Sequence, residues 1–216
     1  MIFANTFANI VAIEKGDNPK NFSDFYPRAI AVDASGHPHI VYGGDHLYYT
    51  YYDGTSWRYE TVDKLSDVGK YASLALDTSG KAHISYYDNT NGDLKYATNS
   101  SGDWTTVIVD NSGGEYTSIA LDRAGKAHIS YYSGFLWYAT NASGPWITES
   151  VDSGIIKGEY NSIALDKSGN AYISYYLNSA NDFCIAKIDL LLYPYRTKIN
   201  NQLQLSTVLG VTPVPF

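Results

Sequence analysis

Cysteine is almost absent from this chain. Cys184 stands alone among 216 residues, so no disulfide framework can form within it. Charge is sparse as well: Asp, Glu, Lys and Arg together make 17% of the residues, and the formal net charge is −7. So few Lys and Arg, set against an acidic excess, suit neither nucleic acid nor an anionic membrane surface. No apolar run approaches the roughly 18 residues a membrane-crossing helix needs. The opening stretch Met1–Glu14 has no basic segment, and Asn and Thr interrupt its apolar residues, so it does not read as a signal peptide. No segment keeps a 3.6-residue apolar period over three turns, which excludes a helical solenoid.

What the chain does have is tyrosine and repetition. Tyr occurs 21 times and Trp 4 times, which suits half-buried sheets and sugar- or protein-binding surfaces. Four stretches are near copies: Pro27–Asp33, Tyr71–Asp77, Tyr116–Asp122 and Tyr160–Asp166. Their aspartates lie 44, 45 and 44 residues apart. A fixed period of this size marks a repeat architecture.

The second copy serves as the type. Ser73–Asp77 reads as a short strand, and Asp77-Thr-Ser-Gly80 as a tight turn. Lys81–Asp88 alternates as a second strand, with Ala82, Ile84 and Tyr86 on one face and His83, Ser85 and Tyr87 on the other. Leu94–Thr98 is the third strand, and Trp104–Asp110 the fourth. Four short strands in about 44 residues make one blade of an all-β propeller. The expected blades run over 26–70, 71–115, 116–159 and 160–188, within a propeller domain of residues 1–188.

The ends depart from the pattern. A Trp-led fourth strand appears only three times, at Trp57, Trp104 and Trp146. The segment 7–13 begins with Phe7 in place of Trp and continues in β-branched residues, so it is expected to complete the fourth blade and close the ring. Residues 189–216 follow another pattern and form a C-terminal extension. Within it, Gln202–Leu209 alternates like a strand. Leu203, Leu205 and Val208 could pair with an open edge of a neighbouring subunit and drive self-assembly. The segment could equally pack on its own blade, or descend from a frameshifted fourth strand.

The phrase Ser-Ile-Ala-Leu-Asp-x-x-Gly-x-Ala-His-Ile-Ser-Tyr-Tyr resembles the repeats of prokaryotic β-propellers grouped with the sialidase-like, Asp-box superfamily. The resemblance covers about residues 5 to 188. It departs from a true Asp-box, because His83 stands where the box has its Trp. In that superfamily the box is a structural turn, so the resemblance implies a scaffold rather than catalysis. A looser resemblance runs to propeller lectins. A sialidase would need three converging arginines. The four here, Arg28, Arg58, Arg123 and Arg196, fall on a first strand, a fourth strand, a turn and the extension. They are not expected to converge.

The remaining candidates are weighed on chemistry. His39, His83 and His128 share one repeat position that Tyr172 fills in the fourth copy, so an imidazole bridging its own turn is expected rather than a zinc ligand. The turn Asp88–Asp93 is rich in oxygen and could hold Ca²⁺, but it lacks the EF-hand spacing. No cofactor is otherwise expected. Asn21, Asn99 and Asn141 begin N-glycosylation sequons. One propeller face should carry Tyr71, Asp88, Asn89 and Asp93, with Glu115-Tyr116 and Glu159-Tyr160. Aromatic rings beside carboxylates and amides are what a sugar-binding surface uses; the same tyrosines could instead pack between blades. The sequence thus points to a non-enzymatic propeller, extracellular or on a cell surface, that binds glycans or surface proteins or serves as a subunit of an assembly. A sialidase-like glycosidase is the alternative.

Overall fold

The computed structural model describes residues 22–24, 29–151, 158–177 and 182–189. The expected strand 7–13, the sequon Asn21, Arg28, Arg196 and the extension with Leu203, Leu205 and Val208 lie outside the described residues.

The described chain is all-β and forms four antiparallel sheets in sequence order. The first blade holds β1 (Phe22–Asp24), β2 (Ile30–Val32), β3 (Pro38–Gly44), β4 (Leu47–Tyr52) and β5 (Trp57–Asp63). Here β1 and β2 share one edge of β3, so they act as a single interrupted inner strand. The second blade holds β6 (Val68–Leu76), β7 (Ala82–Asp88), β8 (Asp93–Thr98) and β9 (Thr105–Asp110), paired in that order. The third repeats it with β10 (Glu115–Leu121), β11 (Ala127–Tyr132), β12 (Leu136–Thr140) and β13 (Ile147–Ser150). The fourth shows β14 (Ser162–Leu165), β15 (Ala171–Leu177) and β16 (Asp182–Ile188). This is a β-propeller of antiparallel blades. Neighbouring blades meet through their inner strands: β6 lies against β2 and β3, β10 against β6, and β14 against β10.

One expectation needs correction. The sequence places the start of the first strand of the type repeat at Ser73. Instead β6 begins at Val68 and β10 at Glu115, and the register shifts between Lys70 and Ser73 and between Glu115 and Ser118. The inner strand therefore runs longer than its apolar alternation suggests, and its bulges re-aim the side chains there.

Local chemistry explains the turn in every copy. Asp77 Oδ1 accepts from the amides of Ser79 (2.8 Å) and Lys81 (2.9 Å). Asp33, Asp122 and Asp166 accept the equivalent pairs. Gly80 supplies the left-handed backbone the turn needs, at φ +75°. The carboxylate thus replaces two strand-end partners the backbone cannot reach.

Blades are joined by a recurring set of contacts. Ser73 Oγ accepts from the Ile119 amide of the next blade (3.2 Å), and Ser118 Oγ from that of Ile163 (3.2 Å). Trp104, just before β9, meets Tyr49 of the first blade edge-on at 5.2 Å, and Trp146 meets Tyr96 of the second at 5.1 Å. The alternation expected of the second strand is present, yet both faces of β7 are buried from Ala82 to Tyr86 because a blade is sandwiched on both sides.

Candidate ligand-binding site

Three tyrosines expected at the site stand together. Tyr71, Tyr116 and Tyr160 sit at the entrance to the inner strands, and their rings form a ladder. The centroid of Tyr71 is 4.6 Å from that of Tyr116, which is 4.9 Å from that of Tyr160. Tyr71 and Tyr116 are half-buried, and Tyr160 ends the ladder 73% exposed.

The backbone under each ring is strained. Tyr71, Tyr116 and Tyr160 have φ of 55°, 53° and 54°. Left-handed backbone costs an L-residue with a side chain roughly 1–2 kcal/mol. The cause lies two residues earlier, in a Gly-x-Tyr pattern that sequence reasoning missed: Gly69, Gly114 and Gly158. A Cβ on Gly114 would stand 2.6 Å from Leu94 Cα, and one on Gly158 would stand 2.7 Å from Leu136 Cβ. On Gly69 it would stand 2.9 Å from Gly43 Cα and 3.0 Å from Leu47 Cδ1. Leu47, Leu94 and Leu136 are fully buried in the preceding blade. The incoming backbone thus lies flush on its neighbour's leucine, and the chain then turns sharply enough to throw the tyrosine over the previous ring. The residue after the tyrosine is anchored in turn. Thr117 Oγ1 donates to Ser85 Oγ (2.8 Å), and Asn161 accepts from Ser130 Oγ (2.5 Å) while donating to the Gly158 carbonyl (2.9 Å).

The acidic candidates divide into two groups. Glu115 and Glu159 are half-buried beside the ladder. Burial, the neighbouring Tyr71 and Tyr160 rings and the Glu159 charge hold the Tyr116 hydroxyl above the ordinary phenol range. Burial and the Glu115 charge do the same for Tyr87. Asp88 and Asp93, by contrast, are only 1% and 6% exposed. Asp88 accepts from the amides of Thr90 and Asn91 and from Asn91 Nδ2, and it stands 3.7 Å from Lys95 Nζ. Burial and the Asp88 charge raise the Asp93 pKa. Asn89 donates its side-chain amide to Asp67, and its backbone amide to the Asp67 carbonyl (3.1 Å). These three residues therefore brace the turn and the blade junction. A cation at this turn would compete with Lys95 for Asp88.

His39, His83 and His128 each span a turn and a strand. His83 Nδ1 lies 2.5 Å from the Tyr96 hydroxyl, and its Nε2 lies 3.7 Å from Asp77 Oδ2. His128 repeats this with Tyr138 and Asp122, and His39 with Tyr49 and Asp33. Burial lowers all three imidazole pKa values against the opposing pull of the aspartates. The shift favours the neutral ring in all three, and the rings lie in separate blades. Among the described residues no three His, Cys, Asp or Glu side chains are placed to hold a metal ion together. Arg58 is tied to Asp53 at 2.6 Å, in the turn before its own strand, and Arg123 lies in the turn after β10. Asn99 Oδ1 and Asn141 Oδ1 each accept a backbone amide at 2.8 Å, from Ala82 and Ala127. Among the described residues no helix is long and apolar enough to cross a membrane.

No known family profile matches the chain, and no curated protein matches it. Solved structures do. AofleA from Arthrobotrys oligospora superposes with a TM-score of 0.57 at 13% identity, over 74% of this chain and 52% of that one. A protein of unknown function from Dyadobacter fermentans superposes with a TM-score of 0.55 at 17% identity, over 76% of this chain and 52% of that one. A NanB sialidase from Streptococcus pneumoniae gives 0.51 at 15% identity, over 74% of this chain and 30% of that one. At these identities the likeness is one of fold, and it supports the β-propeller class. The chain matches about half of the first two proteins' length and less than a third of the sialidase's.

Proposed function

We propose that this chain is a non-enzymatic, glycan-binding β-propeller module that works outside the cell or on its surface. The Tyr71–Tyr116–Tyr160 ladder would be its docking platform. The observation that carries this reading is strain put to use. Three bulky residues sit in left-handed backbone at repeat-equivalent positions, and the outermost ring is left largely in solvent. Strain of this kind concentrates at ligand sites. An exposed phenol face suits the C–H face of a sugar, and Glu115 and Glu159 beside it suit the hydroxyls. Less support falls to a sialidase-like glycosidase, because among the described residues Arg58 lies on the fourth strand of the first blade, tied to Asp53, and Arg123 lies in a turn of the third.

A glycan array tests the reading. Binding to at least one glycan class is expected, lost in Tyr160→Ala with the fold intact by circular dichroism. An array without binders, or one on which the variant binds undiminished, overturns it. Turnover in a panel of fluorogenic glycosides would favour the glycosidase instead.

A further inference from the structure

Each internal blade junction joins two distinct faces. The outgoing face of an internal blade presents Ala29, Ser73 or Ser118 of its inner strand, the His of its second strand and the Tyr ring of its third. The incoming face of the next blade presents the apolar residues of its own inner strand. On the incoming side, Leu74, Ile119 and Ile163 are each 7% exposed. Their equivalent in the first blade, Ile30, is 60% exposed, as is Val32. On the outgoing side, His39, His83 and His128 and their partners Tyr49, Tyr96 and Tyr138 are all buried. The fourth-blade equivalents, Tyr172 and Ile185, are 38% and 55% exposed. Ser73 and Ser118 are each 1% exposed, and Ser162 is half-buried. Among the described residues the first and fourth blades thus present the two halves of one junction, and these halves do not cover each other.

We propose that the fourth-blade face of one chain packs against the first-blade face of a second copy, head to tail, reproducing the internal junction. Ser162 occupies the acceptor position of Ser73 and Ser118, and Ile30 the donor position of Ile119 and Ile163. Tyr172 and Ile185 replace a polar His–Tyr pair by a more apolar couple, and Lys187 Nζ lies 5.7 Å from the Tyr172 ring centroid. This face therefore offers more apolar surface for burial between chains. Because the two faces differ, the contact is heterologous: it closes into a ring or extends as a filament. Two such chains would bring eight blades together, within the usual range of propellers.

Mass measurement on the full chain by light scattering tests this, with Ile30→Asp and Ile185→Asp as probes. Both positions are exposed in the single chain, so both variants should keep the wild-type circular dichroism. The wild type is expected to be a dimer or larger, and each variant alone a monomer. Mixing the two variants should restore one junction and give a dimer. The intact Ile185 face lies on Ile30→Asp and the intact Ile30 face on Ile185→Asp, so only the mixture can pair. A monomeric wild type overturns the proposal. So does a folded variant that keeps the wild-type mass, or a mixture that fails to pair.

Discussion

Lys95 Nζ of the second blade lies 2.5 Å from Asp63 Oδ2 of the first, and both side chains are 7% exposed. Tyr86 donates to the same Asp63 oxygen at 2.7 Å. Burial works to raise the Asp63 pKa, but the bonds from Lys95 and Tyr86 prevail and hold it below the ordinary Asp value. Removing one partner of a buried ion pair costs about 3 kcal/mol or more. Lys95→Met should therefore lower the unfolding free energy by about 3 kcal/mol at neutral pH. It leaves Asp63 and Asp93 without their cation, so the loss should shrink as acid protonates them. Urea denaturation at two pH values checks both statements. An equal loss at both would show that packing, rather than charge, sets the cost.

The three buried histidines predict an acid transition. Their folded pKa values are lowered from 6.5 by burial. Between the folded and unfolded values, the unfolded chain binds more protons. The contribution of the neutral rings is thus full above about pH 6.5 and falls as the pH drops towards the folded values. His83→Gln should flatten that slope by about one proton's worth while leaving the other two. Thermal unfolding measured between neutral and mildly acid pH reads the slope. No change on substitution would mean that His83 does not titrate in this window.

The Asp turn makes a sharper local prediction. Asp77→Ala strands two amides and should cost about 2 kcal/mol. Asp77→Asn keeps an acceptor oxygen and should cost less than half of that. Chemical denaturation of the pair separates acceptor geometry from charge. Equal losses would assign the effect to the charge near His83.

The ladder predicts a trade between stability and binding. Tyr160 is 73% exposed at φ +54°, so Tyr160→Gly relieves strain and gives up little packing. It should raise the unfolding free energy by about 0.5–1 kcal/mol while abolishing glycan binding. Tyr116→Gly should not gain in the same way, because the Tyr116 ring lies between two others. Calorimetry and the glycan array on the same two proteins test this. A destabilised Tyr160→Gly would mean that the exposed ring carries structural load.

Much of this fold could be read from the chain because its signals are local. The Asp-x-x-Gly turn states its own chemistry within five residues, and the period counts the blades. What was hidden acts between blades. Gly69, Gly114 and Gly158 look like ordinary loop glycines until Leu47, Leu94 and Leu136 are seen beneath them. Asp88 and Asp93 look like a solvated turn, yet Lys95 and the start of the next blade cover them. The histidines face their turn aspartates at 3.7–3.8 Å, but their hydrogen-bond partners are the tyrosines of the third strand. The clue lay in the fourth copy, where Tyr172 replaces the His and Ile185 replaces the Tyr, so the pair changes as a unit. Tyr71, Tyr116 and Tyr160 are legible from their shared place in the repeat, at the link into each inner strand. Their contact with one another follows from a backbone turn that no alternation pattern encodes.

The serine bond from Ser73 to Ile119, and again from Ser118 to Ile163, has a consequence for how such a chain can change over time. The second and third copies carry both the socket, Ser73 and Ser118, and the plug, Leu74 and Ile119, whereas the first copy has Ala29 where the serine would stand. A gene segment spanning the second or third period could be duplicated in frame with a serine facing an inner-strand amide at each new junction. Growth by whole cassettes is therefore open to this protein, whereas gain or loss of part of a cassette would strand a socket.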